Sequence, residues 1–173
     1  MSEARPVWPE SEGSGQGDRK LSEALLEFSS PLFASMPEAR YMPEVVQDVL
    51  EFAADVWNVV VGSGPANLVQ RLVQLIGYHS QRWNVPEAQM VERVLGLVGR
   101  KMRDFAQDHR MVFGVRAFWS DAGDEIRVRA VGAVLPLGTW IPVPLSVLPR
   151  SHWSDDPHPS PLPEGEGAYA DPT

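Results

Sequence analysis

The chain contains no cysteine, which excludes disulfides, thiolate metal sites and cysteine nucleophiles and accords with a reducing compartment. It has almost no lysine: Lys20 and Lys101 stand against 13 arginines. With scarce Ile and Asn and abundant Ala, Gly, Pro and Val, that usage is the bias of a GC-rich bacterial genome, and it speaks to source, not chemistry. Nowhere do 18 apolar residues run together, so no membrane-spanning helix is expected. MSEARPVWPESEGSG also lacks the apolar stretch behind a basic head that marks a secretory leader. The expectation is a cytoplasmic protein without a membrane role.

Excess positive charge is missing too. The net charge of −8 argues against general nucleic-acid binding, which clustered Lys and Arg would have to drive. The distribution is uneven: residues 21–62 hold seven carboxylates against Arg40 alone, whereas residues 63–149 hold ten basic groups against seven acidic ones. An acidic front and a mildly basic back follow.

Residues 1–19, with Pro6, Pro9 and the SEGSGQGD run, are too polar and Gly-rich to bury anything and are expected to be disordered. Residues 150–173 are Pro-rich and acidic, without an apolar period, and are expected to be a second disordered tail. Their SPLPEGEGA resembles the peptide made when a bacterial intergenic repeat is read in frame. A single domain is assigned to 20–149, long enough for a core without staples.

Within it, Leu21, Ala24, Leu25 and Phe28 recur at helical spacing, and Ser29-Ser30-Pro31 is expected to break that first helix. Pro43 opens a long helix carrying Val46, Val49, Leu50, Ala53, Val56, Trp57 and Val60 on one side. Another runs from Ala66 to Ile76 and is expected to stop at Gly77, leaving His79 in a loop. A fourth follows Pro86, with Gly96 and Gly99 expected at a close helix crossing.

The apolar period then changes from 3.6 to 2. RMVFGVRAFWS and EIRVRAVGAVL, joined by DAGD, read as a hairpin on a two-residue Ala-Gly loop. Trp119 is expected opposite Ile126, Ala117 opposite Val128, Val115 opposite Ala130, Phe113 opposite Gly132 and Met111 opposite Val134. The other face pairs Arg116 with Arg129, and Phe118 with Arg127 as a cation–π neighbour. PLGTWIPVPLSVLP follows, apolar but carrying Pro136, Pro142, Pro144 and Pro149, which suits an edge or wrapping segment. The fold class is therefore α+β: four to five helices, an antiparallel β-hairpin and a Pro-rich extended segment.

VVVGSGPA, residues 59–66, is similar to the phosphate-binding turn of flavin oxidoreductases over about ten residues. Asn67 replaces the third glycine, the valines close a helical segment, and Arg82-Trp83 stand where an acidic strand end belongs. The simpler reading has Gly62 end one helix, Ser63-Gly64 turn the chain and Pro65 open the next. Arg100, Asp104 and Asp108 form an i, i+4 row on the fourth helix, read as a solvated face with Arg100 paired to Asp104. His152 and His158 flank Asp155 and Asp156 in the tail, where nothing enforces metal geometry. No catalytic residues, metal site or cofactor emerge from these patterns.

Val56-Trp57-Asn58, Arg100-Lys101, Phe105, Asp108 and Arg110 resemble positions in a loosely defined group of short bacterial proteins with a helical front and a terminal β segment. The resemblance spans roughly residues 20–130 and implies the α+β architecture but no activity. The function expected is that of an accessory or regulatory protein that binds another protein or itself through Arg116, Phe118, Arg127, Arg129 and Trp140. The alternative is a small flavin- or nucleotide-binding protein using Gly62, Ser63 and Gly64 as an anion cradle.

Overall fold

The computed structural model describes residues 19–37 and 42–136. The order is α1 (Leu21–Ser35), α2 (Pro43–Gly62), α3 (Pro65–Trp83), α4 (Glu87–Asp104), β1 (Arg110–Trp119) and β2 (Ile126–Val134). The fold is α+β, with four helices and one antiparallel hairpin among the described residues. The Pro-rich segment, its Trp140 and both tails lie outside them.

The centre is α2. Pro43 takes its first position, where the missing N–H costs nothing, and Glu44 suits the positive end of the dipole. From Val46 to Val59 every residue but Asp48 is buried, because α2 packs against α1, α3, α4 and β1 at once. That burial reaches Gln47, Glu51, Asp55 and Asn58, so part of the acidic front is interior.

Pro31 does not break α1. A proline strands the carbonyl four residues earlier, here that of Glu27. Arg100 on α4 donates Nη2 to that oxygen at 3.0 Å, replacing the lost bond. Ser29 turns its hydroxyl back to the Leu25 carbonyl at 2.7 Å, so it too is satisfied inside the helix.

Gly77 does not stop α3 either. The helix runs on to Trp83 and ends at Asn84, which takes the left-handed conformation at φ 51°. The Val85 N–H then returns to the Ser80 carbonyl at 3.0 Å, closing the terminal loop. Leu72, Leu75 and His79 form the buried side of this longer helix, which is why His79 is interior and not in a loop. Gly96 and Gly99 are exposed, with open space where a Cβ would stand. They mark no helix crossing.

The hairpin keeps the expected register from Trp119↔Ile126 to Val115↔Ala130 and then shifts. Phe113 is an extra residue in a bulge, so Val112 faces Gly132 and Met111 faces Ala133. The expected pairings of Phe113 and Met111 are displaced by one. The connecting loop is also wider than Ala-Gly. Ser120 N–H bonds the Glu125 carbonyl at 2.8 Å, leaving residues 121–124 as the loop, and Gly123 adopts φ 69°. Gly132 is needed for a different reason: a Cβ there would meet the Met111 carbonyl oxygen and Leu21 Cδ2.

The two glycine classes give opposite expectations in urea unfolding. Gly96→Ala should raise stability by about 0.5–1 kcal/mol, since Ala is the better helix former at an uncrowded site. Gly132→Ala should lower it by about 1–3 kcal/mol through overpacking. A neutral Gly132→Ala would contradict the close approach of α1 to β2.

Candidate functional site

The hairpin is held from behind by the polar side chains of α2. Asn58 makes a reciprocal pair with one residue of β1: its Nδ2 donates to the Val112 carbonyl, and the Val112 N–H donates to its Oδ1, both at 2.7 Å. Gln47 repeats the device further along, Nε2 donating to the Val115 carbonyl at 2.7 Å and Oε1 accepting the Ala117 N–H at 2.6 Å. The Trp57 indole N–H donates to the Arg110 carbonyl at 2.7 Å. Each carboxamide offers one donor and one acceptor side by side, as a peptide unit does. They occupy the edge of β1 as a neighbouring strand would.

Geometry explains the spacing. Gln47 and Asn58 are three helical turns apart, about 16 Å along the axis, close to the reach of the β1 stretch they cover. The bulge is equally necessary. The N–H and C=O of successive residues point to opposite edges of a strand, so Val112 and Val115, three apart, would face opposite ways in a regular one. The extra residue at Phe113 turns both toward α2.

A second polar group lies between α2 and α3. His79 Nε2–H donates to Asp55 Oδ2 at 2.9 Å, with 1% and 3% of the two side chains exposed. Phe52, Tyr78 and Trp83 surround the imidazole. Glu51 accepts from Gln47 at 2.8 Å, and Arg82 donates to Asp48 at 2.7 Å and to Glu51 at 3.3 Å. These carboxylates tie α3 to α2. No group of three or more His, Asp or Glu residues capable of holding a metal occurs among the described residues.

A third group gathers at the end of α4. Lys101, 3% exposed, donates to the carbonyls of Phe105 and Asp108, each at 2.7 Å, and lies 4.3 Å from the Trp57 ring centroid. Burial lowers its ammonium to about 8, against the opposing charge of Asp108. Asp108 itself is pushed up by burial, but hydrogen bonds from Arg110 and the charges of Arg110 and Lys101 outweigh this and hold it below the usual carboxylate range. Phe28, Trp57 and Phe105 meet edge-on at centroid distances of 5.2–5.7 Å. Trp57, Asn58, Lys101, Phe105, Asp108 and Arg110 thus converge where β1 begins.

The expected row Arg100–Asp104–Asp108 does not form: α4 ends at Asp104, Arg100 turns to Glu27, and Asp104 pairs with Arg103 at 2.9 Å. The turn Gly62-Ser63-Gly64 joins two helices, so no strand enters it as a dinucleotide turn requires. Arg71 donates to the Gly62 carbonyl and to Ser63 Oγ, both at 3.1 Å, on the side of the turn that ends α2.

On the outer face of the hairpin, Arg116 does stand opposite Arg129 and Phe118 opposite Arg127. The cation over Phe118 is Arg129, 5.2 Å from the ring centroid, in place of Arg127. Arg127 pairs instead with Glu125 at 2.7 Å. Arg127 and Arg129 are exposed, Arg116 and Phe118 half-buried, and Trp119 at the loop end is 46% exposed. Gln47, Asn58 and the His79–Asp55 pair escaped sequence reading. The signal present was a set of polar residues at 47, 51, 55 and 58, recurring at helical spacing with no lysine or arginine among them.

Asn58→Leu should cost about 2–4 kcal/mol in urea unfolding, because it strands a buried N–H and a buried carbonyl without changing side-chain volume much. Gln47→Leu should act in the same direction. Lys101 gives a pH test. Below about 8 both folded and unfolded chains hold its proton and the cost of burying the cation is full; between about 8 and the ordinary 10.5 the unfolded chain holds more protons, so stability should rise with pH. Lys101→Met should remove that rise, and an unchanged slope in the variant would contradict the assignment. No family model, curated protein or solved structure matches this chain, and its function is read from its own residues.

Proposed function

We propose that this chain is a non-catalytic accessory or regulatory protein that binds another protein through the outer face of its hairpin. The supporting observation is the surface made by Phe118, Arg127 and Arg129. It sets an aromatic ring beside exposed guanidinium groups on a hairpin whose β1 edge is anchored to α2. Exposed arginine with aromatic neighbours is the composition of a binding hot spot. The charge adds a bias in the partner: Arg127 and Arg129, both exposed on β2, favour acidic side chains laid across them.

The buried polar pairs support a structural role over a chemical one. His79 and Asp55 are enclosed on a helix–helix interface, 1% and 3% exposed, with Nε2 of the one bonded to Oδ2 of the other.

Affinity isolation from the source cell's extract tests the reading, with wild type and an Arg127→Glu, Arg129→Glu variant as baits. The protein retained by wild type should elute with rising salt and be lost from the variant, while the helical circular dichroism and its melting stay the same. An unchanged set of retained proteins would refute the reading. So would a native mass exceeding the denatured mass by one flavin or nucleotide, which would move the function to Gly62, Ser63 and Gly64.

A further inference from the structure

The third helix differs from the others in what it shows to solvent. The exposed residues of α3 are Pro65, Ala66, Asn67, Val69, Gln70, Val73, Gln74 and Gln81, and none is ionised. Each of the other three helices presents charge among its exposed residues: Glu23 on α1, Glu44 on α2, and Glu87, Glu92, Arg103 and Asp104 on α4. The two arginines of α3 are half-buried and turn back to α2, Arg71 to the Gly62 carbonyl at 3.1 Å and Arg82 to Asp48 at 2.7 Å and Glu51 at 3.3 Å. Val69 and Val73 stand 70% and 63% exposed on the uncharged side.

We propose that this side of α3 packs against the same side of α3 in a second copy of the chain, the two related by a two-fold axis. Ala66, Val69, Gln70, Val73 and Gly77 recur at i, i+3, i+4, i+7 and i+11, so they form one stripe along the helix. The buried residues Leu72, Leu75 and His79 lie on another side. An antiparallel crossing centred on the stripe sets Val73 against Gln70 of the second copy and Ala66 against its Gly77, each contact made twice. Open space stands where a Cβ of Gly77 would be, so the facing helix can approach the backbone there.

Charge selects the occupant. A two-fold contact lays a surface on itself, so an ionised side chain near the axis meets its own like charge. In a chain of net charge −8, which repels its copies, an uncharged helix face is where two copies meet without that cost. Asn67, Gln70, Gln74 and Gln81 each offer a donor and an acceptor, which makes them complementary to themselves. A charged partner would lose the hydration of its ions against carboxamides that supply no counter-charge. A lipid surface would call for basic residues along the polar face, and the arginines of α3 are engaged with α2. A single helix crossing buries less than the roughly 800 Å² per partner of a standard interface, so the dimer should depend on concentration.

The face lies on α3, whereas the partner-binding reading uses β1 and β2, so the two stand or fall separately. Sedimentation equilibrium of the full-length protein, from about 1 to about 200 µM, tests the proposal with Val73→Glu and Val73→Lys. Glu and Lys are better helix formers than Val, so the helical circular dichroism should be unchanged in both. Wild type should pass from monomer to dimer across this range. Each variant alone should dissociate at least about tenfold more readily, and an equimolar mixture of the two should recover the dimer, since opposite charges then meet near the axis. The Arg127→Glu, Arg129→Glu protein should dimerise as wild type does. A wild type that stays monomeric throughout would overturn the proposal. So would a dimer that survives in both Val73 variants, a mixture no more associated than its components, or a dimer lost from the Arg127→Glu, Arg129→Glu protein.

Discussion

Two carboxamides on one helix hold the hairpin, and much of the remaining structure follows from that constraint. Gln47 and Asn58 each present a donor and an acceptor to the open side of β1. A two-stranded hairpin is marginal in water without such support. Because the supporting groups are side chains of a buried helix, the edge of β1 is satisfied without a third strand on that side. The bulge at Phe113, the burial of Val112 and the close approach at Gly132 are local adjustments that keep both amides in register with the strand.

The same helix sets the rest of the core. With neighbours on all sides, α2 has no solvated face over most of its length, so each polar residue on it must find a partner. Asp55 finds His79, Glu51 finds Gln47 and Arg82, and Trp57 spends its indole N–H on Arg110. Lys101 completes the corner, binding the carbonyls beyond α4 while its charge rests on the Trp57 ring. Polar pairs of this kind favour one arrangement of helices over others that would bury the same apolar area.

What the sequence made legible were features with local physical causes. The prolines at 43 and 65, the apolar side of α2, the α3 and α4 periods and the hairpin register near its loop are all set by near neighbours. The misreadings came where a distant residue decides. Pro31 stays inside α1 because Arg100, far along the chain, bonds the Glu27 carbonyl. Gly77 is passed because Leu72, Leu75 and His79 give α3 a continuous buried side. The polar residues of α2 resemble a solvent face in sequence, and only the packing of four elements around them shows that they are interior. On the candidate surface, pairing of Arg116 with Arg129 was readable from alternation, whereas the exchange of Arg129 for Arg127 over Phe118 was not, since it depends on Glu125 drawing Arg127 away.

A hairpin anchored in this way presents Phe118, Arg127 and Arg129 on a stiff support, which suits recognition with little ordering cost. The anchoring itself is the point to measure, by hydrogen exchange of the Val112 and Ala117 amides. In a hairpin without the α2 amides those two N–H groups would face water. Exchange as slow as that of the amides within α2 is the expected result, since both are bonded to a helix of the core. Exchange at the rate of an exposed loop amide such as Ala122 would contradict the account.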